Sequence, residues 1–228
     1  MKEKATLPIL LKELRLPTMK QLWEQFNNEA VKEGWTPTQY LATLCEHELA
    51  HRESRKLIRY IAEAKLPKGK SLATFDFNAT PSINKSQITA FASGEIWIKN
   101  SSNLLIFGPS GAGKTHLAAA IGEKLIESGY RVLFSRTTEL VQKLQKAKQE
   151  LTLPAALEKL DKYHCLILDD FGYVQKDTHE TSLLFELICE RYETKSLLIT
   201  CNQPFEEWDK IFTDKLMAVA AADRSFEC

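Results

Sequence analysis

A glycine-rich octet near the middle of the chain carries the clearest chemical signal. It reads Gly-Pro-Ser-Gly-Ala-Gly-Lys-Thr and occupies residues 108–115. Its glycines let the backbone curl until the amides face a phosphate group, and the N-terminus of a following helix adds its dipole. Lys114 is expected to reach the β and γ phosphates of ATP, and the Thr115 hydroxyl is expected to bind Mg²⁺. The positions expected to bind the nucleotide are Gly108, Pro109, Ser110, Gly111, Ala112, Gly113, Lys114 and Thr115.

The segments on either side of the octet support a phosphate-binding loop. The apolar run 104–107 before it predicts a strand, and Leu117, Ile121 and Leu125 after it predict a helix with one apolar face. A phosphate-binding loop of this kind requires that order of strand, loop and helix. A glycine-rich turn without function does not require that order, so this alternative is disfavoured.

Two consecutive carboxylates follow the apolar run 165–168, which predicts a second strand of the same sheet. Asp169 is expected to hold Mg²⁺ through water, and Asp170 is expected to polarise the attacking water. Acids at the end of a strand can also simply cap the next helix. The phosphate-binding loop favours the catalytic interpretation.

A further candidate follows the apolar run 196–200. Asn202 lies just after this predicted strand, at the carboxyl edge where ligands bind in open parallel sheets. It is our candidate for sensing the γ-phosphate. The alternative is a turn-forming asparagine before Gln203 and Pro204.

The elements that must position these residues predict an α/β protein. From residue 101 onward short apolar runs alternate with helical stretches, which is typical of a parallel sheet flanked by helices. Residues 1–66 predict a small all-helical domain, in which Thr36, Pro37 and Gln39 form the capping box of a long helix that ends near Ala64. Residues 67–100 predict a linker and one short helix, and residues 101–228 form the predicted nucleotide-binding domain.

Composition restricts the cellular compartments and partners that we expect for the protein. The 30 basic and 30 acidic side chains balance, but residues 1–99 hold 15 basic against 11 acidic residues. The five cysteines include no C-x-x-C pair, and no apolar run approaches the ~18 residues of a membrane span. We therefore expect a soluble, unexported protein of the reducing cytoplasm, with no membrane partner.

Two basic helices are candidates for binding duplex DNA. In the long N-terminal helix, Arg52, Arg55, Lys56 and Arg59 recur at the spacing of one helix face, which predicts phosphate contacts that tolerate any base sequence. The alternative is a solvated face, since Glu48 can pair with Arg52. The helix around residues 140–149 is a weaker candidate through Lys143 and Lys146, because exposed lysines are usually only solubilising.

Together these motifs resemble the AAA+ ATPases of the helicase-loader and initiator clade, and within that clade the IstB-like helper ATPases of bacterial insertion sequences. The resemblance covers nearly the whole chain. It rests on residues 10–14, 46–52, 75–77 and 108–117 with His116 directly after the loop, on 168–173, on 200–205 with Trp208, and on 214–224.

The resemblance implies an ATP-dependent factor that assembles with copies of itself on duplex DNA and helps a transposase to select its target. Lys114, Thr115, Asp169 and Asp170 match the Walker positions, with His116 beside them. Asn202 matches the first sensor, and Arg224 matches the arginine finger that reaches a neighbouring subunit's ATP. Asp170 stands where many AAA+ proteins have glutamate. The chain also ends soon after Arg224, where members of the family continue, so we expect a truncated sheet and slow hydrolysis.

Three other functions stay open on the sequence. A replicative helicase loader would have nearly the same ATPase core, with an N-terminal domain that grips a helicase. A small-molecule kinase uses a similar loop, but about a hundred residues precede the loop here and no arginine-rich lid segment is visible. A purely structural nucleotide-binding scaffold would lack the catalytic groups that this chain retains.

Overall fold

The computed structural model of the protein describes residues 2–81, 83–173 and 178–203. The chain divides into two compact units, with the boundary between Arg59 and Tyr60. This boundary falls inside the longest helix, five residues before the helix ends at Ala64. Each unit is described separately below.

The first unit is entirely helical in its described residues. Helix α1 spans Lys2–Glu13, α2 spans Pro17–Glu33, and α3 spans Pro37–Ala64 and continues into the second unit. Apolar side chains from the three helices pack into one core, because each helix carries them at helical spacing. The buried members of that core are Leu11, Met19, Trp23, Phe26 and Leu44.

The start of α3 confirms the predicted capping box. The backbone amide of Thr36 donates to Gln39 Oε1 at 2.8 Å, and the amide of Gln39 donates to Thr36 Oγ1 at 3.2 Å. Two backbone amides that lack a partner inside the helix are thereby satisfied. With Pro37 in the first turn, this local chemistry fixes where the helix begins.

The second unit is an α/β domain, as predicted. Its described elements are α4 (Lys85–Ser93), β1 (Leu104–Phe107), α5 (Lys114–Glu127), β2 (Val132–Arg136), α6 (Thr137–Gln149), α7 (Leu153–Asp161), β3 (Cys165–Asp169), a short 3₁₀ turn (Phe171–Tyr173), α8 (Thr178–Arg191) and β4 (Ser196–Cys201). The described strands form a parallel sheet in the order β1-β4-β3-β2. Strands β3 and β4 are buried along their whole length, because helices cover both faces of the sheet.

Close packing of α5 on the sheet places the glycine-rich loop at the sheet's carboxyl edge. Gly122 in the middle of α5 lies so near β3 that a Cβ atom there would sit 2.7 Å from Ile167 Cδ1. Glycine at this position therefore lets the helix approach the strand. The strand register Leu104↔Leu198 and Cys165↔Ser196 then brings the ends of β1, β4 and β3 to one edge.

A buried arginine ties together the opposite end of the same sheet. Arg191, at the end of α8, is 1% exposed and donates to the carbonyls of Leu160, Tyr163 and Ser196 at 3.0, 3.0 and 3.1 Å. Burial lowers its pKa, while the nearby Asp161 carboxylate acts in the other direction. Arg191 therefore joins the end of α7 to the residues that precede β3 and to the first residue of β4.

Candidate functional site

The glycine-rich segment forms a loop between β1 and α5, as the sequence predicts. Its first amide, that of Gly108, donates to the carbonyl of Cys201 at the end of β4 at 3.3 Å. Gly111 and Gly113 have φ angles of 81° and 83°, in the left-handed region that favours glycine. Gly113 is also the residue immediately before α5, so the loop passes directly into the helix N-terminus. This is the geometry in which backbone amides and the helix dipole favour an anion.

The Lys114 side chain folds back over the loop that precedes it. Its ammonium donates to the carbonyls of Gly108 and Pro109, at 2.8 and 2.9 Å. The positive charge is therefore already held at the loop, on acceptors that belong to the same loop. A phosphate group would give this ammonium a stronger, charged acceptor than a neutral carbonyl.

Thr115 and Asp169 meet behind the loop. Thr115 Oγ1 donates to Asp169 Oδ1 at 3.0 Å, and Thr200 Oγ1 donates to the same oxygen at 2.6 Å. Asp169 is only 2% exposed, so its carboxylate is held away from bulk water. The sequence predicted that Thr115 and Asp169 would share a site, and the structure brings them into contact.

Thr200 is a site residue that sequence reasoning did not single out. Its hydroxyl donates to Asp169, and it also accepts a hydrogen bond from the backbone amide of Asp170 at 3.0 Å. One hydroxyl therefore orients both members of the acid pair. The signal that could have found it was a polar residue near the end of a buried strand, next to the strand that carries the acids.

Asp170 stands in an unusual backbone conformation at the end of β3. Its φ angle is 58°, in the left-handed region that side-chain-bearing residues rarely adopt. Such strain persists only where neighbouring contacts hold it, and it concentrates at functional sites. The holding contacts are the Thr200 hydroxyl on the Asp170 amide and the Thr137 hydroxyl, which donates to the Asp169 carbonyl at 2.9 Å.

Asn202 lies just beyond β4, against the short turn that follows the acid pair. Its Oδ1 atom is buried and has no hydrogen-bond partner among the described residues. The same atom lies against Gly172, where an added Cβ would collide with it. Buried polar atoms are nearly always satisfied, so an unpartnered one at this edge is suited to a water or a ligand.

His116 contacts the linker that precedes the sheet. Its Nε2 lies 3.0 Å from the Ser71 carbonyl and 3.1 Å from Thr74 Oγ1. The Phe75 ring meets the imidazole edge to face at 5.3 Å, and a Cβ at Gly113 would lie 3.2 Å from that ring. The linker is thus fastened to the first turn of α5, which the sequence did not predict.

The residues present fit a nucleotide with a divalent cation. The loop supplies amides and an ammonium for phosphates, and Thr115 and Asp169 supply two hard oxygen atoms side by side. Across the described residues no group of three or more His, Cys, Asp or Glu side chains gathers to hold a metal. A cation here would need oxygen ligands from the phosphates and water, which is how Mg²⁺ is usually held beside a nucleotide.

The predicted basic stripe on α3 is partly engaged in holding the first unit together. Glu48, 2% exposed, accepts from the α2 amides of Thr18 and Met19 at 2.8 and 3.1 Å. Its other oxygen accepts from Arg52 Nε at 2.9 Å, and Arg52 Nη2 donates to the Arg15 carbonyl at 2.8 Å. The pairing of Glu48 with Arg52 is therefore present, and it joins the start of α2 to the end of α1.

Burial and hydrogen bonding act in opposite directions on the pKa of Glu48. Burial disfavours its ionised form, but the hydrogen bond from Arg52 and those from the Met19 and Thr18 amides outweigh burial and lower its pKa. Arg55 adds a longer contact to the same carboxylate at 3.7 Å. Lys56 and Arg59 follow on α3 with exposed side chains.

The second set of DNA candidates lies on α6. Lys143 and Lys146 are exposed on this helix, and Lys146 pairs with Glu150 at 3.8 Å, a contact between two exposed side chains. Such a pair contributes little to stability. Arg224 and the other residues from 204 onward that carry the resemblance lie outside the described residues.

The fold and the site define an ATP-binding protein of the P-loop AAA+ type. A family model for the IstB-like ATP binding protein matches residues 9–227. A Sinorhizobium fredii protein named as an insertion-sequence ATP-binding protein is 55% identical over 222 residues, covering 97% of this chain and 74% of that protein. The protein of Pseudomonas aeruginosa named for insertion sequence IS21 is 35% identical over 218 residues, covering 96% and 82%. The chain belongs to the family of IstB-like ATP-binding proteins.

Solved structures support the fold. AMPPCP-bound DnaA from Aquifex aeolicus superposes with a TM-score of 0.59 at 18% identity, over 69% of this chain and 48% of that chain. The match thus spans about half of DnaA. The structure of DnaI superposes with a TM-score of 0.57 at 24% identity, over 71% of this chain and 89% of that one.

Separately, none of the helices in the described residues is long and apolar enough to span a bilayer.

Proposed function

We propose that this protein hydrolyses Mg-ATP, assembles with further copies of itself on duplex DNA, and assists the transposase of its insertion sequence in selecting target DNA. The observation that carries the proposal is the contact between Thr115 and Asp169 behind the phosphate-binding loop. A hydroxyl and a carboxylate side by side at this loop support the binding of a nucleotide's cation.

Each residue at the sheet edge has a role in this proposal. The loop amides and Lys114 bind the phosphates, and Thr115 and Asp169 hold Mg²⁺, which supplies neutralising charge to the phosphate oxygens when bound. Asp170 orients and polarises the attacking water, and the Thr200 hydroxyl on its amide holds its backbone. Asn202 supplies a buried amide next to these groups for the γ-phosphate. Arg224 would reach the nucleotide of a neighbouring subunit.

Relatives that are named for insertion sequences favour a transposition helper over a helicase loader. The likeness to DnaI concerns the fold alone. Helices α3 and α6 supply basic side chains, which suit sequence-tolerant contacts with DNA phosphates. Relatives of this kind also argue against a small-molecule kinase, and the intact acid pair argues against an inactive scaffold.

Two measurements together test this function: the size of the complex with duplex DNA, and the choice of target DNA by the transposase. Gel filtration with duplex DNA should give a large complex with ATP and free protein without ATP. Adding the neighbouring transposase and ATP should then direct strand transfer to DNA that carries the complex. A monomer that ignores duplex DNA in the presence of ATP, or a transposase whose target choice is unaffected, would contradict the proposal.

A further inference from the structure

A groove in the first unit gathers five basic side chains from three helices and a turn. Lys12 comes from α1, Arg15 from the turn after it, Lys20 from α2, and Arg52 and Arg55 from α3. Leu16 and Pro17 also line it, and none of the described residues in the lining is acidic. The groove has a volume of about 520 Å³. That volume lies within the range of roughly 300–1,000 Å³ typical of pockets that hold a small organic ligand, so it exceeds the needs of a single ion.

Two of the arginines are oriented before any ligand arrives. Glu48 holds Arg52 through Nε at 2.9 Å and approaches Arg55 at 3.7 Å, and the Arg15 carbonyl holds Arg52 Nη2 at 2.8 Å. Because Glu48 is buried beneath these contacts, its single charge leaves the groove strongly positive. Preorganised guanidinium groups lose less side-chain entropy when they bind an oxyanion.

The chemistry of the lining selects the phosphodiester backbone as the ligand. Guanidinium and ammonium groups match phosphate oxygens, and five like charges in one groove repel each other until an anion neutralises them. The part of the chain that the structure describes places no aromatic ring in this lining on which a base could stack, which disfavours a single-stranded ligand. Contacts to phosphate position a protein on duplex DNA without reading its sequence.

We propose that this groove is the duplex-binding subsite of the first unit, with Lys12, Arg15 and Lys20 contributing beside Arg52 and Arg55. The inference rests on the proposed function, since it assumes that the protein binds duplex DNA. The expected DNA contact then lies where α1, α2 and α3 meet, and not on one face of α3 alone. Lys12 and Lys20 become DNA ligands, although neither belongs to the basic stripe of α3.

The test is duplex affinity as a function of salt, measured by fluorescence anisotropy on the full chain with ATP and a labelled 30-base-pair duplex. Lys20→Ala and Lys32→Ala form a matched pair, because both lysines are exposed on α2 and only Lys20 lines the groove. Lys20→Ala, and more so the double variant Lys12→Ala/Lys20→Ala, should weaken binding and lower the salt slope by about 0.9 for each phosphate that is no longer neutralised. Lys32→Ala should behave as the wild type. Arg52 is left intact, because its side chain bonds Glu48 and the carbonyl of Arg15 in the turn between α1 and α2.

The outcomes separate the two proposals. If the wild type binds the duplex and the double variant binds it with the same affinity and slope, the groove is not the subsite, although the proposed function stands. If the wild type fails to bind duplex DNA with ATP, the proposed function fails and this inference fails with it. A poly-glutamate peptide tests an acidic protein ligand. If the double variant loses that peptide but keeps the duplex, the groove takes a protein segment and the proposal is wrong.

Discussion

Thr115 and Asp169 lie 54 residues apart in the chain, yet their side chains share a hydrogen bond of 3.0 Å. The sheet order explains the contact, because β4 lies between β1 and β3 and α5 crosses behind all three strands. The Thr115 hydroxyl in the first turn of α5 and the Asp169 carboxylate at the end of β3 therefore meet at one point. The proposed ATPase activity depends on this juxtaposition.

Asp170→Asn should leave ATP bound but uncleaved. An amide cannot accept a proton from water as a carboxylate can, while Asp169 and Thr115 still support the cation. We expect turnover to fall by about 10²- to 10⁴-fold, the usual contribution of a general base, with nucleotide affinity within a few fold of the wild type. Single-turnover hydrolysis and equilibrium binding of labelled ATP measure the two effects separately. Unaltered turnover would mean that a residue other than Asp170 activates the attacking water.

Thr200→Val should slow hydrolysis although Thr200 has no expected contact with the nucleotide. The change keeps the side-chain shape and removes the hydroxyl that bonds both Asp169 and the Asp170 amide. A partner of this kind typically contributes about 10- to 100-fold to metal affinity or activity. Thr200→Ser keeps the hydroxyl and is the matched control. If the valine and serine variants show the same turnover and the same Mg²⁺ dependence, Thr200 has no part in orienting the acids.

Gly172→Ala should impair the position of Asn202. An added Cβ would collide with Asn202 Oδ1 and also lie 3.2 Å from Cys201 Sγ, so the Asn202 side chain would have to turn away from its present position. We expect slower hydrolysis with ATP still bound, because the loop and Lys114 are untouched. Gly129→Ala is a control for a glycine with open space around it. Its own φ of 89° makes some loss of stability expected there, but no loss of turnover. Equal turnover of the two alanine variants would count against this role of Gly172.

Glu48 should make the first unit sensitive to acid. Its pKa is lowered in the folded state from an ordinary value of 4.5, so its stabilising contribution is complete above that value and is lost as pH falls through the lowered one. Glu48→Gln should therefore cost about 1.5–3 kcal/mol near pH 7, the range for hydrogen bonds to a charged group. The variant and the wild type should converge as the pH falls below 4.5.

Denaturant unfolding at a series of pH values measures this effect. Glu53→Gln, an exposed carboxyl on the same helix, is the control and should follow the wild type. If the free energies of unfolding of Glu48→Gln and the wild type stay parallel across the acidic range, Glu48 is not the source of the pH dependence.

The local patterns were enough to predict the loop, the strand ends and the capping box, because each depends on residues within a few positions of one another. They could not predict Thr200 as the residue that orients Asp169, since that contact spans 31 residues and depends on which strands are neighbours. Arg191 reads as an ordinary basic residue at the end of a helix, and only the packing of α7 and β4 shows that it is buried. Glu48 likewise reads as half of a surface ion pair, although it caps a helix about thirty residues away.

The central claim is that a protein that assembles on duplex DNA hydrolyses Mg-ATP at this loop, and we expect assembly on DNA to raise its turnover. The most direct test is the ATP turnover of the full chain during a titration with duplex DNA. We predict a turnover that rises to a plateau and requires Mg²⁺. Lys114→Ala should abolish it, through a loss of about 10²-fold or more when a charged donor is removed from the transition state. Lys124→Ala, on the exposed side of the same helix, should leave it intact. Turnover that ignores duplex DNA, or that survives Lys114→Ala, would contradict the account.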